Sequence, residues 1–330
     1  MGGNRFVAWA ALALALGLTS HGFMQSQALA QSPYPDRPIR IVSPFVAGSV
    51  SDICLRVLSD TLAARTGMSA IVQNQVGASG IAAASTVKSA PPDGYTAALF
   101  SNATAVSVSL FKSLPFDPLT DFKPVGGISE FSYVLAVAGG SPYRSIGDVL
   151  AAIRDRPGRL NIGTSGIGTT PYLVAALLKS DLNLAVTLIP YRGSGEQFLA
   201  LSRGDVDVIV DTYAPIQQAL ADGRARAVAV TSAERVPTLP GIPTLSESGA
   251  PGFDVSSWNG LYVPRGTASD RVDVMAANLA NALGDEALRV KFKSLGAVVR
   301  SVPARELNAR MRSEIKKWSE VIEAAGIEKQ

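Results

Sequence analysis

The sequence predicts an α/β protein whose sheets are parallel and covered by helices on both faces. Three observations carry that prediction. Short β-branched runs alternate with amphipathic stretches along most of the chain, the pattern of strand–helix–strand units. Nearly half of the 330 residues are apolar (47%), enough for sizeable cores. Segments rich in Gly, Ser, Thr and Ala recur after the strands, where open α/β sheets place their ligands.

The first thirty residues read as a secretory leader, with Arg5 as its positive region and an apolar run from Phe6 to Leu18. Ala28-Leu29-Ala30 supplies the small-x-small cleavage pattern. The apolar run is shorter than the roughly 20 residues of a spanning helix. Removal of residues 1–30 leaves a chain destined for the periplasm, with a start near Gln31.

Beyond the leader, Ile39–Pro44 reads as a strand and Ser51–Arg65 as a helix, with apolar residues at Cys54, Val57, Leu58 and Leu62. Ser49 or Ser51 can cap that helix, and Gly67 ends it. A strand at Ala70–Gln73, a Gly-rich loop at 77–80, a helix at Ile81–Ser89 and a strand at Tyr95–Phe100 follow. Later strands are expected at Tyr133–Ala138, Leu160–Gly163, Thr187–Pro190, Val206–Val210 and Ala225–Thr231. Helices are expected at Ile146–Asp155, Pro171–Lys179, Glu196–Ser202, Pro215–Ala221, Ser269–Leu283, Asp285–Leu295 and Ala304–Ala325. Pro171 suits a first helical turn, where its missing N–H leaves no bond unmade.

Composition excludes several functions. The formal charge of +3 falls to +2 once Arg5 is removed, too little and too dispersed for a nucleic-acid surface. The densest basic group, Arg310, Arg312, Lys316 and Lys317, is interleaved with Glu306, Glu314 and Glu320, as on a solvated helix face. The single His, His21, lies in the leader, and Cys54 is the single Cys, so no disulfide, imidazole metal site or His-dependent triad is expected. Cys54 reads as a small buried hydrophobe. Neither a metal nor a cofactor is called for.

Loops at strand ends are the candidate site: Phe45–Ser51, Ser101–Ala103, Thr164–Thr169 and Tyr191–Gly195, with Asp211 at another strand end. Two of these loops lead into helices, whose first N–H groups are unpaired and carry partial positive charge. A carboxylate can be held there without a basic side chain. Asp52 reads either as a ligand contact or as a first-turn helix residue, and Arg192 as a carboxylate partner or a solvated side chain.

Taken in order, several segments resemble one family: YPDRPIRIVSPFVAGSVSD from Tyr34 to Asp52, QNQVGASG from Gln73, PDGYT from Pro92, and LNIGTSGIGT from Leu160. PYRG from Pro190, GDVD from Gly204, LPGIPTLSESGAPGF from Leu239, WNGLYVPRG from Trp258, and Trp318 continue the pattern. This order resembles the substrate-binding proteins of tripartite tricarboxylate transporters, the Bug family. The resemblance implies a periplasmic-binding-protein type II architecture, with two α/β lobes, a ligand cleft and two crossover strands. It implies one lobe from residues 31–132 and 256–330 and a second from 133–255. Carried onto this chain, the ligand contacts would be Phe45, Val46, Ala47, Gly48, Ser49, Asp52, Ser101, Asn102 and Ala103 on the first lobe. Those of the second would be Thr164, Ser165, Gly166, Gly168, Thr169, Arg192 and Asp211. The implied partners are a small organic carboxylate and one large and one small integral-membrane subunit of an ion-driven transporter, served by a monomer.

Three departures bear on the ligand. Ser49 stands where the family usually has a second Gly; Gln75-Val76 replaces an Arg-Pro, removing a cation; and Tyr172 replaces a common His. Loss of the cation argues against a highly charged ligand, and Tyr172 or Phe45 can stack on an aromatic acid. A sensor presenting its closed form to a receptor, or a His-free periplasmic enzyme, are the other functions weighed; no Gly-x-Ser-x-Gly or Walker motif supports the enzyme.

Overall fold

The computed structural model describes residues 34–330; the expected leader and His21 lie outside the described residues. The order begins β1 (Ile39–Ser43), α1 (Val50–Thr66), β2 (Ala70–Asn74), α2 (Ile81–Lys88), β3 (Thr96–Ser101), α3 (Asn102–Leu110) and β4 (Phe122–Ala138). It continues α4 (Ile146–Asp155), β5 (Asn161–Ser165), α5 (Thr170–Asp181), β6 (Thr187–Tyr191), α6 (Ser194–Arg203), β7 (Val208–Thr212), α7 (Tyr213–Ala221) and β8 (Ala225–Val230). The chain closes with β9 (Ser256–Pro264), α8 (Ser269–Leu283), α9 (Glu286–Ser294), β10 (Ala297–Val299) and α10 (Ala304–Ala324).

The strands run β2-β1-β3-β9-β4-β7-β5-β6, with β8 and β10 also paired to β4. β1 pairs parallel with β2 and β3, and β5 pairs parallel with β6 and β7, as the strand–helix alternation requires. β9 and β4 run antiparallel to their neighbours and join the two parallel groups. The 17-residue β4 changes partners midway: Phe122–Ser132 pairs with β9, and Tyr133–Ala138 with β7 and β8. The result is one curled α/β sheet with two halves.

Most predicted elements are present within one to three residues of their expected ends, and α4 and α8 match at both ends. Four were not anticipated, the short β10 among them. α3, NATAVSVSL, alternates small and β-branched residues instead of showing a helical stripe, and its helicity rests on a capping box in which Ser101 and Thr104 exchange bonds with backbone N–H groups. The first half of β4 carries Pro124, Gly126 and Gly127, which read as breakers; the register shifts at Pro124/Gly126 and Gly127/Ser129 absorb them. β9 is buried at all nine positions, so it shows no alternation to read.

Apolar burial spans both halves. Phe100, Phe122 and Tyr262 meet in an aromatic cluster, with Phe100–Phe122 centroids 4.8 Å apart and nearly perpendicular. Trp318 on α10 and Trp258 on β9 are fully buried, which docks the last helix across the sheet. Cys54 is 1% exposed and burial pushes its thiol up to about 12, the behaviour of an inert core residue.

Candidate ligand cleft

Because three antiparallel pairings separate them, β1 and β3 run opposite in sense to β5, β6 and β7; the carboxyl ends of the two parallel groups are therefore opposed, and a helix begins at each of these strand ends. One cavity of 790 Å³ collects these ends. Ser49, Val50 and Ser51 bring the start of α1 to its wall, Gly80 the start of α2, and Asn102 and Ala103 the start of α3. Thr169 and Thr170 bring α5, Ser194 brings α6, and Thr212 and Ala214 bring α7. Six helix N-termini thus border one space. Each presents unpaired N–H groups and a partial charge of roughly half a unit. Among the described residues that line the cavity, none is charged. Backbone, hydroxyls and amides are therefore the means of holding an anion here.

A buried polar group closes the floor. Asn102 on α3 donates from Nδ2 to Thr170 Oγ1 on α5 at 3.0 Å, and Ser257 Oγ of β9 donates to Asn102 Oδ1 at 2.9 Å. The phenol of Tyr133 sits among Asn102, Thr170 and Ser257; burial pushes its hydroxyl up, partly offset by those three side chains. The Asn102–Thr170 bond joins the two halves directly.

Of the residues expected to touch ligand, Phe45, Gly48, Ser49, Asn102, Ala103, Gly168 and Thr169 line the cavity. The others stand elsewhere. Val46 and Ala47 point to solvent beside them. Ser101 caps α3, its Oγ accepting the Ala103 N–H at 3.1 Å. Thr164 is fully buried and donates to the Ser165 carbonyl at 2.9 Å. Gly166 and Arg192 border a separate 510 Å³ depression with Glu196, Arg203 and Asp205. Tyr172 packs against the core rather than the cavity.

Asp52 shapes the first loop. Its carboxylate accepts the Gly48 N–H at 2.9 Å, Asn74 Nδ2 at 2.6 Å and Arg56 Nε at 3.0 Å, while Asn74 Nδ2 also reaches the Phe45 carbonyl at 3.0 Å. Burial alone would raise its carboxyl, but Arg56, Asn74 and the Gly48 amide outweigh that and hold it below the usual 3.8. Ser49, not Ser51, caps α1, accepting the Asp52 N–H at 3.3 Å.

Asp211 behaves in the opposite sense. It is 4% exposed, its Oδ1 accepts the Thr212 N–H at 2.7 Å, and its Oδ2 has no hydrogen-bond partner. Burial pushes its carboxyl up, against the opposing pull of Ser194 and Thr212. Asp211 itself stands behind the wall; its neighbours Ser194 and Thr212 face the space.

Ser194, inside the candidate loop Tyr191–Gly195 though not among the expected contacts, lines the cavity, as does Thr212, which stands next to the named Asp211. Sequence reading missed Tyr133, Thr170 and Ser257, and had no signal for Phe131 and Leu295, which reach the cavity from distant parts of the chain.

Two α/β halves with helix starts turned into a shared, neutral-walled cleft define a solute-binding protein of type II architecture. The chain belongs to the tripartite tricarboxylate transporter receptors: the family model described as "Tripartite tricarboxylate transporter family receptor" matches residues 54–327. The "UPF0065 protein in tcbD-tcbE intergenic region" of Pseudomonas sp. (strain P51) is 33% identical over 88% of this chain and 86% of its own. Among solved structures, the periplasmic binding protein BugD is 32% identical with a TM-score of 0.77, over 90% of this chain and all of that one. An R. palustris protein solved with adipate is 32% identical with a TM-score of 0.78, over 89% of this chain and 98% of that one. The family is one of periplasmic solute-binding receptors rather than enzymes. Among the described residues no helix is long and apolar enough to cross a membrane.

Proposed function

We propose that this chain is an exported receptor that encloses a small carboxylate in the cleft and presents it to an ion-driven tripartite transporter. The convergence of six helix N-termini on a cavity lined by no charged side chain is the observation that carries this reading. Backbone amides favour the carboxylate, and closure removes water and strengthens each bond. The adipate bound by the R. palustris relative is in keeping with this chemistry.

In this reading residues 31–132 and 256–330 form one lobe and 133–255 the other; the change of partners on β4 between Ser132 and Tyr133 supports the division. Phe45, Gly48, Ser49, Asn102, Ala103, Gly168 and Thr169 contact the ligand, with Ser194 and Thr212 added from the second lobe. Asp52 and Ser101 set the shape of the first-lobe loops. Residues 1–30 act as a cleavable leader, the receptor works as a monomer, and its partners are the large and small membrane subunits.

A thermal-shift screen of the purified protein against mono-, di- and tricarboxylates and amino acids tests the reading, because a ligand of the native state alone raises Tm. At least one carboxylate is expected to raise Tm by several degrees while its amide counterpart does not. A panel in which uncharged analogues stabilise as well as the acids would refute the anion site.

A further inference from the structure

A carboxyl group lies behind the wall of the second half. Asp211 ends the buried run of β7 and is 4% exposed; its Oδ1 accepts the Thr212 N–H at 2.7 Å, and its Oδ2 has no hydrogen-bond partner. Gln197 of α6 is fully buried at the same strand end. Its Nε2 donates to the Gly163 carbonyl at 3.0 Å and to the carbonyl of Val210, the residue before Asp211, at 2.9 Å, and its Oε1 has no partner. Two buried acceptors thus stand at the end of β7 without a donor. A proton on Asp211 turns one of them into a donor, whereas an ionised Asp211 is a desolvated charge with one oxygen unbonded.

The elements packed against β7 carry Lys123, Glu130 and Tyr133 on β4, Tyr172, Lys179 and Asp181 on α5, Glu196 and Arg203 on α6, and Tyr213 on α7; β5 carries no titratable side chain. Among the described residues none of these side chains bonds to Asp211, whose carboxyl is pushed up by burial against the pull of Ser194 and Thr212. Ser194 is the first residue of α6 and Thr212 the N-cap of α7, and both face the cavity. Asp211 therefore stands just behind two of the helix starts that favour an anion in the cleft. Ionised, it competes with a ligand carboxylate for that field and repels it through a poorly screened interior. Protonated, it leaves both helix starts to the ligand.

We propose, resting on the carboxylate-receptor reading, that Asp211 couples binding to protonation: the cleft takes up a carboxylate together with a proton, which comes from solvent and is held on the Asp211 carboxyl. Asp211 is then a positioning residue, which acts on the ligand through Ser194, Thr212 and the fields of α6 and α7. The sign follows from charge: a bound anion strengthens the hold of Asp211 on its proton, and a bound ammonium would weaken it.

Calorimetry of the purified protein with acetate, benzoate, succinate, adipate and glutamate, from about pH 6 to about pH 9 in buffers of different ionisation enthalpy, tests the proposal. The acid that binds most tightly should bind with net proton uptake, and its affinity should fall by up to about tenfold per pH unit toward the alkaline end. Asp211→Asn keeps the shape without the charge. It should bind the same acid with no proton exchange and with an affinity independent of pH, Tm in the absence of ligand serving as the folding control. Binding by the wild type with no buffer dependence at any pH, or uptake that persists in Asp211→Asn, overturns the coupling and leaves the carboxylate receptor standing. The wild-type measurement needs no variant, so it decides even where Asp211→Asn does not fold. Net proton release would mean that the ligand brings an ammonium to Asp211, and also overturns the coupling. An absence of heat from every acid overturns both.

Discussion

The loops that border the cleft from the two halves are stabilised differently. The first-half loop, Phe45 to Ser49, is held by its own half: Asp52 receives Gly48, Asn74 and Arg56, and Asn74 also ties down the Phe45 carbonyl. The second-half loop before α5 has little such support. Thr169 caps α5 with no side-chain bond, and the loop's positions near the cleft are defined by contact with the other half, through Gly168 against Leu110 and Thr170 with Asn102. The difference teaches that one wall is held from within its own half and the other by contacts across the cleft.

Breaking the second wall should have the largest effect on binding. Gly168 has φ +81°, and a Cβ there would stand 2.5 Å from Leu110 Cδ2. Gly168→Ala adds backbone strain and a clash that opens the two halves, and should weaken ligand binding by about 3 kcal/mol, read by calorimetry. Gly168→Ala combined with Leu110→Ala should recover the part owed to the clash and leave the strain; full loss in both would place the whole effect in the backbone.

Breaking the first wall should act on stability as well as binding. Asp52→Ala leaves the Gly48 amide, Asn74 and Arg56 without their acceptor and should cost about 2 kcal/mol in urea unfolding, discounted for the exposed Arg56. Because the Asp52 carboxyl is held below 3.8, its contribution is fully present above that pH and is lost as pH falls through the lower native value. The wild-type advantage over Asp52→Asn should therefore shrink on acidification below pH 4; an advantage independent of pH would mean that the charge is not what holds the loop.

The bond across the halves is expected to matter less. Asn102→Ala removes the donor to Thr170 and the acceptor of Ser257 and should weaken ligand binding about fivefold, near 1 kcal/mol. Unchanged affinity would show that Tyr133 alone organises the floor.

Asp211 sharpens the comparison with the opposite pH slope. Its carboxyl is pushed up by burial, so its contribution is fully present below 3.8 and is lost as pH rises through the higher native value. Asp211→Asn should gain on the wild type in urea unfolding as pH rises from 4 to 8. A gap constant across that range would mean that Asp211 keeps one protonation state throughout.

Much of the fold was legible because the parallel units carry their own signals. Ile146–Asp155 shows a helical apolar stripe and a Ser145–Asp148 capping box, and it forms as expected. The strands that join the halves carry no such signal: β9 is buried at every position, so it shows no alternation, and β4 contains Pro124 and two glycines whose strand conformation depends on bulges against β9. For the site, the glycine- and serine-rich strand ends include Ser49, Asn102 and Thr169, which the fold brings to the cavity wall. They could not separate Ser49, which faces the cavity, from Val46, which is 58% exposed, because loop direction depends on the Asp52 clamp.

The sequence by itself determined the parallel α/β units, the polar strand ends that start helices, and the family, because each is written in local periodicity, capping residues and contiguous motifs. Only the tertiary structure decided which residues share the cleft. Leu295 and Phe131 lie 164 positions apart, and are neighbours because β10 pairs with β4. Pairing over that separation leaves no local pattern, so this part of the cavity wall emerges only once the chain has folded.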